Sequence, residues 1–323
     1  MDAKSIAFSA PGKVILFGEH SVVYGHPAIA TAIDLRAKCE LKKTSEKAIK
    51  ISTPNLFPDK IFTIFQHSLI PSELEPFKHI CLLISDSKKN IPAPEVRITS
   101  TIPPSSGLGS SAATAVSLTA SLLKFYEIEY SLERICDIAF ESEKITHGSP
   151  SGIDNSISTY GGGIFYEKGK ITTLTAKIPS SFLVIINSLV SRSTKNLVEQ
   201  VQKKKENEPN TVQSIFKGIE NITRDAKKQL ELGHLEEIGN LLNANHELLE
   251  QLGVGHPTLT KIVNIIDRYH ALGRKLTGAG GGGCIIALFD KLSVAKELAI
   301  NLATYGFPSY VSNIFEIGVK IEE

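Results

Sequence analysis

The 323-residue chain contains no tryptophan, one methionine and four cysteines. Cys39, Cys81, Cys136 and Cys284 are scattered, with no Cys-x-x-Cys pair among them. That spacing suggests neither a disulfide framework nor a zinc site, so all four are expected as core thiols. No apolar run approaches the ~20 residues needed to span a bilayer. The opening MDAKSIAFSAPGK also lacks the basic and long apolar regions of a secretory leader. Together these absences predict a cytosolic protein with no membrane partner. A dominant charge is missing as well: 35 Lys and Arg stand against 34 Asp and Glu, a formal net charge of +1. Nothing here supplies the broad basic surface of a nucleic-acid binder, and none is expected as a partner. No Gly-Lys-Ser/Thr run occurs anywhere, which removes a Walker A loop.

Glycine, by contrast, is concentrated. Seven of the 24 glycines fall in PPSSGLGSSAAT at 103–114 and KLTGAGGGGC at 275–284. Glycines gathered this densely let backbone amides approach an anion that side chains would otherwise block. Val96, Ile98, Ser100 and Ile102 alternate as a half-buried strand leading into the first segment. Ala112, Ala115, Val116, Thr119, Leu122, Leu123 and Tyr126 follow at helical spacing. Strand, glycine loop and helix in that order would seat a phosphate at a helix N-terminus, where free amides and the helix dipole favour negative charge. Gly107, Gly109 and Ala112 also satisfy G-x-G-x-x-A, but a dinucleotide fold needs a second strand after the helix. A second helix, from Ser131 to His147, is expected there instead.

At 42% apolar and 21% charged residues, the chain is a globular protein with ample core. Its length exceeds the usual single domain, and two α+β domains are expected, residues 1–180 and 181–323. Short strands are predicted at Ser5–Phe8, Val14–Phe17, Ala37–Thr44, Ile49–Ser52 and Glu95–Ile102, with a glycine-joined pair at Ile157–Tyr160 and Gly163–Tyr166. The second half reads as a strand at Phe182–Ile186, then helices near Lys195–Lys205, Val212–Leu232, Leu235–Leu249 and Pro257–Leu272. Strands at Cys284–Phe289 and Phe315–Ile321 flank a helix at Ser293–Tyr305.

Glu143 falls on the buried stripe that Leu132, Ile135, Cys136 and Ala139 mark on the second helix. A carboxylate there either escapes to solvent at the helix end or takes a partner, and Mg²⁺ is one such partner. Asp154, in HGSPSGIDNSIS at 147–158, sits on a segment that Gly148, Pro150 and Gly152 keep from continuing the helix. It is either a turn former or N-cap, or a functional acid. Spacing alone leaves Lys13 and His20 equally open.

Four segments together resemble the GHMP small-molecule kinases, the superfamily named for its galactose, homoserine, mevalonate and phosphomevalonate members. PGKVILFGEHSVVYGHPAIATAID at 11–34 resembles the opening motif, and its GEHSVVYGHPA portion looks like the branch that phosphorylates mevalonate. PPSSGLGSSAA resembles the ATP-phosphate loop, HGSPSGIDNSISTYGGG the catalytic segment, and KLTGAGGGGC the third motif. The resemblance implies a ribosomal-S5-like N-terminal domain and a ferredoxin-like C-terminal domain with the active site in the cleft between them. It implies ATP held by Ser105, Ser106, Gly107, Leu108, Gly109, Ser110 and Ser111, with Asn55 and Ser100 as further nucleotide contacts. Mg²⁺ would be held by Ser111 and Glu143. Asp154 would be the catalytic aspartate with Lys13 beside it, and Glu19, His20 and Thr194 would contact mevalonate together with Asp154. A homodimer is the assembly it suggests. Another kinase of the superfamily, and a non-catalytic sensor that keeps the kinase fold, are the rival readings.

Overall fold

A computed structural model describes residues 5–86, 91–104, 106–147, 150–191 and 194–322, without the side chains of 146, 147 and 194. The chain forms two compact units, neither of them a sequential half. The first comprises residues 1–13, 34–161 and 317–323, and the second 14–33 and 162–316. The chain passes between them inside its first two strands and again beyond residues 161 and 316, where a division at 180 was expected.

Two long strands run through both units: β1 (Ile6–Phe17) and β2 (Ala28–Lys43). Two separate strands were expected where β1 runs unbroken. The Pro11-Gly12 dipeptide, a turn signal in the sequence, is accommodated inside the strand. In the first unit follow β3 (Ile49–Ser52), β4 (Ile61–Ile64), helix α1 (Glu75–Ser85) and β5 (Pro94–Ser100). Helices α2 (Ser110–Phe125), α3 (Leu132–His147) and α4 (Ile153–Tyr160) complete it, with β12 (Lys320–Glu322) returning at the end of the chain. The strand order is β12-β1-β2-β5-β3-β4, antiparallel at β2–β5 and β3–β4 but parallel at β3–β5. Along β5, Val96 and Ile98 are buried while Glu95 and Arg97 are exposed, the alternation expected of a strand with one covered face.

Helix α2 is the centre of this unit. Every residue from Ala112 to Leu123 is buried, so it is enclosed on all sides rather than along one stripe. It packs against α1, α3, α4 and β5. Small side chains make that possible, and two of their hydroxyls are turned to backbone: Ser117 Oγ donates to Thr114 O at 3.0 Å and Ser121 Oγ to Cys39 O at 3.1 Å.

The second unit holds β6 (Gly163–Glu167) and β7 (Lys170–Leu174), with β6 paired to the beginning of β2. It continues with β8 (Phe182–Asn187), α5 (Thr194–Asn207), α6 (Pro209–Leu232), α7 (Leu235–Leu252) and α8 (Pro257–Ile266). Then come β9 (Gly273–Thr277), β10 (Cys284–Phe289), α9 (Leu292–Thr304) and β11 (Ser309–Asn313). The last four strands form an antiparallel sheet in the order β11-β8-β10-β9, the ferredoxin-like arrangement. Its core joins Val184, Ile186, Phe216, Leu249, Ile262, Leu276, Ile285 and Leu298. Helix α7 approaches β9 so closely that a Cβ on Gly239 would lie 2.3 Å from Leu272 O, and one on Gly273 would lie 2.1 Å from Gly239 O.

β4, α1, β7, β9 and β11 were not expected, and two further expected elements take another form. Residues 157–160 belong to helix α4, not to a strand. The segment buries Ile153 and all of Asn155–Thr159, so it shows no one-sided period, and its isoleucines and threonine bias the reading toward a strand. Phe315 takes φ 60, a left-handed conformation that interrupts the expected strand over 315–321. Pairing occurs instead in β11 before it and β12 after it. No helix among the described residues is long and apolar enough to cross a membrane.

Gly239→Ala is expected to destabilise the protein by about 1–3 kcal/mol through overpacking. A melting temperature lowered by several degrees would register this, and an unchanged melt would show that the contact with β9 is not limiting.

Candidate active site

Strand β1 carries Lys13 up to the glycine loop that precedes α2 in the first unit. The Lys13 N–H donates to Leu108 O at 2.9 Å, so the backbone of the strand is bonded to the loop itself. Gly109 caps α2 with φ 77, and a Cβ there would lie 3.0 Å from Lys13 Cγ. Only glycine gives both the left-handed turn and the room. No side chain caps this helix, so its leading amides point out of the first turn without a local acceptor from the capping residue. The loop thus places a strong, positively polarised helix end beside the lysine.

Asp154 lies in the first turn of α4, after Gly152 at φ 77. Two bonds fix that helix. Ser158 Oγ donates to Pro11 O at 2.9 Å, tying α4 to β1, and Asn155 Nδ2 donates to Cys136 O at 3.2 Å, tying it to α3. Asp154 Oδ1 then stands 3.1 Å from Lys13 Nζ. The Lys13 side chain is only 10% exposed whereas that of Asp154 is 33% exposed, so the aspartate is the open end of the pair.

Glu143 on α3 is the third charged member. It is buried, at 5% exposure, as its place on the helix stripe indicated. Burial, and then the negative charge of Asp154, push its carboxyl up to about 8, while Lys13 acts in the opposite direction. One ammonium is thus influenced by two carboxylates, and the more enclosed carboxylate favours its proton. Among the described residues no cluster of three or more His, Cys, Asp or Glu forms a self-sufficient metal site.

The other expected nucleotide contacts are partly engaged with the protein. Asn55 and Ser100 hold each other by two bonds: Nδ2 to Ser100 O at 3.1 Å and Ser100 N to Oδ1 at 2.9 Å. Ser106 Oγ donates to Pro103 O at 2.7 Å, and the Leu108 side chain is buried in the core. Gly107 is exposed, and Ser110 and Ser111 are half-buried at the start of α2. Ser105 lies outside the described residues, as does the side chain of Thr194, whose backbone begins α5.

In the second unit, Glu19 is almost fully buried and ion-paired to Lys275, itself enclosed completely. Asn245 Nδ2 donates to Glu19 Oε2 at 3.3 Å, and His20 Nε2 bonds Ala279 O at 2.8 Å. Neither Lys275 nor Asn245 was foreseen as a partner of Glu19; the lysine stands 256 positions away from it. The third-motif glycines are partly structural, with Gly281 N donating to Val254 O at 2.8 Å and Ser188 N to Gly283 O at 2.8 Å.

Comparison with known proteins identifies the family. Residues 77–163 fit the family model for the GHMP kinases N terminal domain, and residues 226–306 fit that for the GHMP kinases C terminal domain. The chain belongs to the GHMP kinases and is an enzyme of that family. Within the family its similarity to mevalonate kinases extends over nearly the full length. The mevalonate kinase of Pyrococcus furiosus is 38% identical over 98% of each chain. The crystal structure of the Methanococcus jannaschii mevalonate kinase superposes with a TM-score of 0.84 at 30% identity, covering 97% of this chain and 99% of that one. That of the L. major mevalonate kinase in complex with R-mevalonate gives 0.80 at 29% identity, covering 94% of each.

The raised carboxyl of Glu143 sets a pH dependence. A folded-state value above the ordinary 4.5 means its contribution to stability is fully present below 4.5 and lost as pH rises through about 8. With divalent metal chelated, Glu143→Gln is therefore expected to gain in melting temperature relative to the parent protein across that window. A difference between the two melts that stays flat with pH would contradict the burial of an ionisable carboxyl there.

Proposed function

We propose that the protein is an ATP-dependent kinase that transfers the γ-phosphoryl group to the C5 hydroxyl of mevalonate, giving 5-phosphomevalonate and ADP. The observation that carries this reading is the Lys13–Asp154 pair at 3.1 Å beside the uncapped N-terminus of α2. The likeness to mevalonate kinases supports the choice of acceptor. One of them was crystallised with R-mevalonate.

Phosphoryl transfer asks for in-line positioning and for positive charge around the equatorial oxygens. In the proposed arrangement the loop from Ser105 to Ser111 and the leading amides of α2 cradle the triphosphate, with Asn55 and Ser100 toward the nucleoside. The Lys13 ammonium faces the transferring group and keeps Asp154 oriented. The acceptor oxygen forms its bond to the γ-phosphorus as the bond to the β-γ bridging oxygen breaks. Asp154 aligns the hydroxyl and takes its proton, and ADP departs. Glu19, His20 and Thr194 are assigned to the acceptor.

The residues present also fit Mg²⁺. Buried Glu143 is a hard oxygen donor that holds its proton near neutrality and would favour its charged form beside a cation, and Ser111 offers a hydroxyl at the helix start. Mg²⁺ usually takes only one or two protein oxygens and keeps waters and phosphate oxygens for the rest. When bound, the ion would neutralise charge on the phosphates and lower the barrier electrostatically.

The test of the reading is ADP release with magnesium and a panel of mevalonate, phosphomevalonate, homoserine and galactose. Turnover confined to mevalonate is expected; turnover with another acceptor only, or ATP binding without ADP release, would overturn it. Asp154→Asn should lower kcat by about 10²- to 10⁴-fold with little change in KM for ATP. Near-normal turnover would remove Asp154 from the reaction. Glu143→Gln should raise the magnesium concentration that gives half-maximal rate, and an unchanged magnesium curve would exclude it as a ligand.

A further inference from the structure

Three elements of the second unit converge on Glu19: the turn that follows β1, strand β9 through Lys275, and helix α7 through Asn245. The Lys275 ammonium pairs with Glu19 Oε1 and also donates to Leu276 O at 2.7 Å. Removing two charges from water is costly, and an ion pair this enclosed persists only when further hydrogen bonds complete it. Asn245 and the Leu276 carbonyl do so. Burial pushes the Lys275 ammonium below its ordinary value, and Glu19 counters that shift.

The next residue is constrained as well. His20 adopts φ 59 and ψ −51, a positive-φ conformation uncommon for a side-chain-bearing residue. Its Nε2 lies 2.8 Å from Ala279 O. A carbonyl can only accept, so Nε2 carries the proton and the ring orientation is set. Lys275 and Ala279 belong to one stretch, the end of β9 and the glycine loop after it. Glu19 is thus held by charge, and His20 by a hydrogen bond, to the same short segment.

We propose that Lys275 is a positioning residue for the phosphoryl acceptor. Its ion pair with Glu19 fixes the turn at 18–20 and keeps His20 on Ala279, while cancelling the Glu19 charge that would repel an anionic hydroxy acid. This rests on the assignment of Glu19 and His20 to the acceptor. A lysine that merely held the fold together would change stability and the fraction of active enzyme, but not the affinity for one substrate alone.

The test is steady-state kinetics on the full chain, with KM for mevalonate and KM for ATP measured separately in the parent, Lys275→Met, Glu19→Gln and the double variant. Lys275→Met is expected to raise KM for mevalonate tenfold or more and to leave KM for ATP within twofold. The double variant is expected to fall well short of the product of the two single effects, because both changes break one interaction. Equal movement of the two KM values, unchanged KM values, or single effects that multiply would each overturn the proposal. If Lys275→Met does not fold, Asn245→Ser removes a bond to Glu19 without stranding a charge. It should raise KM for mevalonate a fewfold and spare that for ATP, and unchanged constants would again overturn the proposal. Failure of the parent protein to use mevalonate refutes the functional reading separately. The same comparison is then made with the acceptor returned by the panel, and absence of turnover with every acceptor overturns both.

Discussion

The contact between Lys13 and Asp154 is the interaction on which the proposed chemistry depends. It is not a chance meeting of surface charges. The lysine backbone is bonded to Leu108 O, and the helix carrying the aspartate is bonded to Pro11 O, two residues before the lysine in the same strand. A shift of β1 by one residue would turn the Lys13 side chain to the other face of the sheet. Loop, lysine and aspartate are thus set by the register of a single strand. The absence of bulk at Gly109 lets the lysine stem lie against the start of α2.

The electrostatics around that contact are unbalanced in a useful direction. Lys13 serves Asp154 directly and Glu143 at longer range, and the more enclosed of the two carboxylates is the one that burial drives toward its protonated form. A site of this kind gains from further positive charge, and the helix end supplies some of it. The second unit resolves a similar problem by other means, pairing buried Glu19 with a fully enclosed lysine and adding an amide. In one unit a carboxylate is left dependent on what binds there, while in the other it is neutralised within the protein.

What the sequence made legible follows from how local each signal is. Helices α2 and α3 and strands β3 and β10 were readable almost to the residue, because each is long, strongly periodic or bounded by turn residues. Helix periodicity set Glu143 on the buried stripe but left open whether its carboxylate escaped to solvent, and the structure buries it. Lys13, Asp154, Glu19 and His20 were ambiguous by spacing and gained roles only through family resemblance. Helix α4 was misread because eight residues buried on nearly all sides carry no period. The break at Phe315 was hidden because a left-handed phenylalanine leaves no mark in composition. Lys275 opens the glycine-rich KLTGAGGGGC segment, yet its partner is 256 positions away and only the fold unites them. The two compact units were similarly obscured, since β1 and β2 each contribute to both.

The central claim is that the triphosphate of ATP rests on the N-terminus of α2 beside Lys13. Its most direct test is a titration of isotopically labelled protein with magnesium and a non-hydrolysable ATP analogue, following the backbone amides by NMR. Saturable shifts at Gly107, Gly109, Ser110, Ser111 and Lys13 are the predicted result. Saturable binding that leaves those amides unmoved, with the shifts clustered elsewhere, would contradict the account.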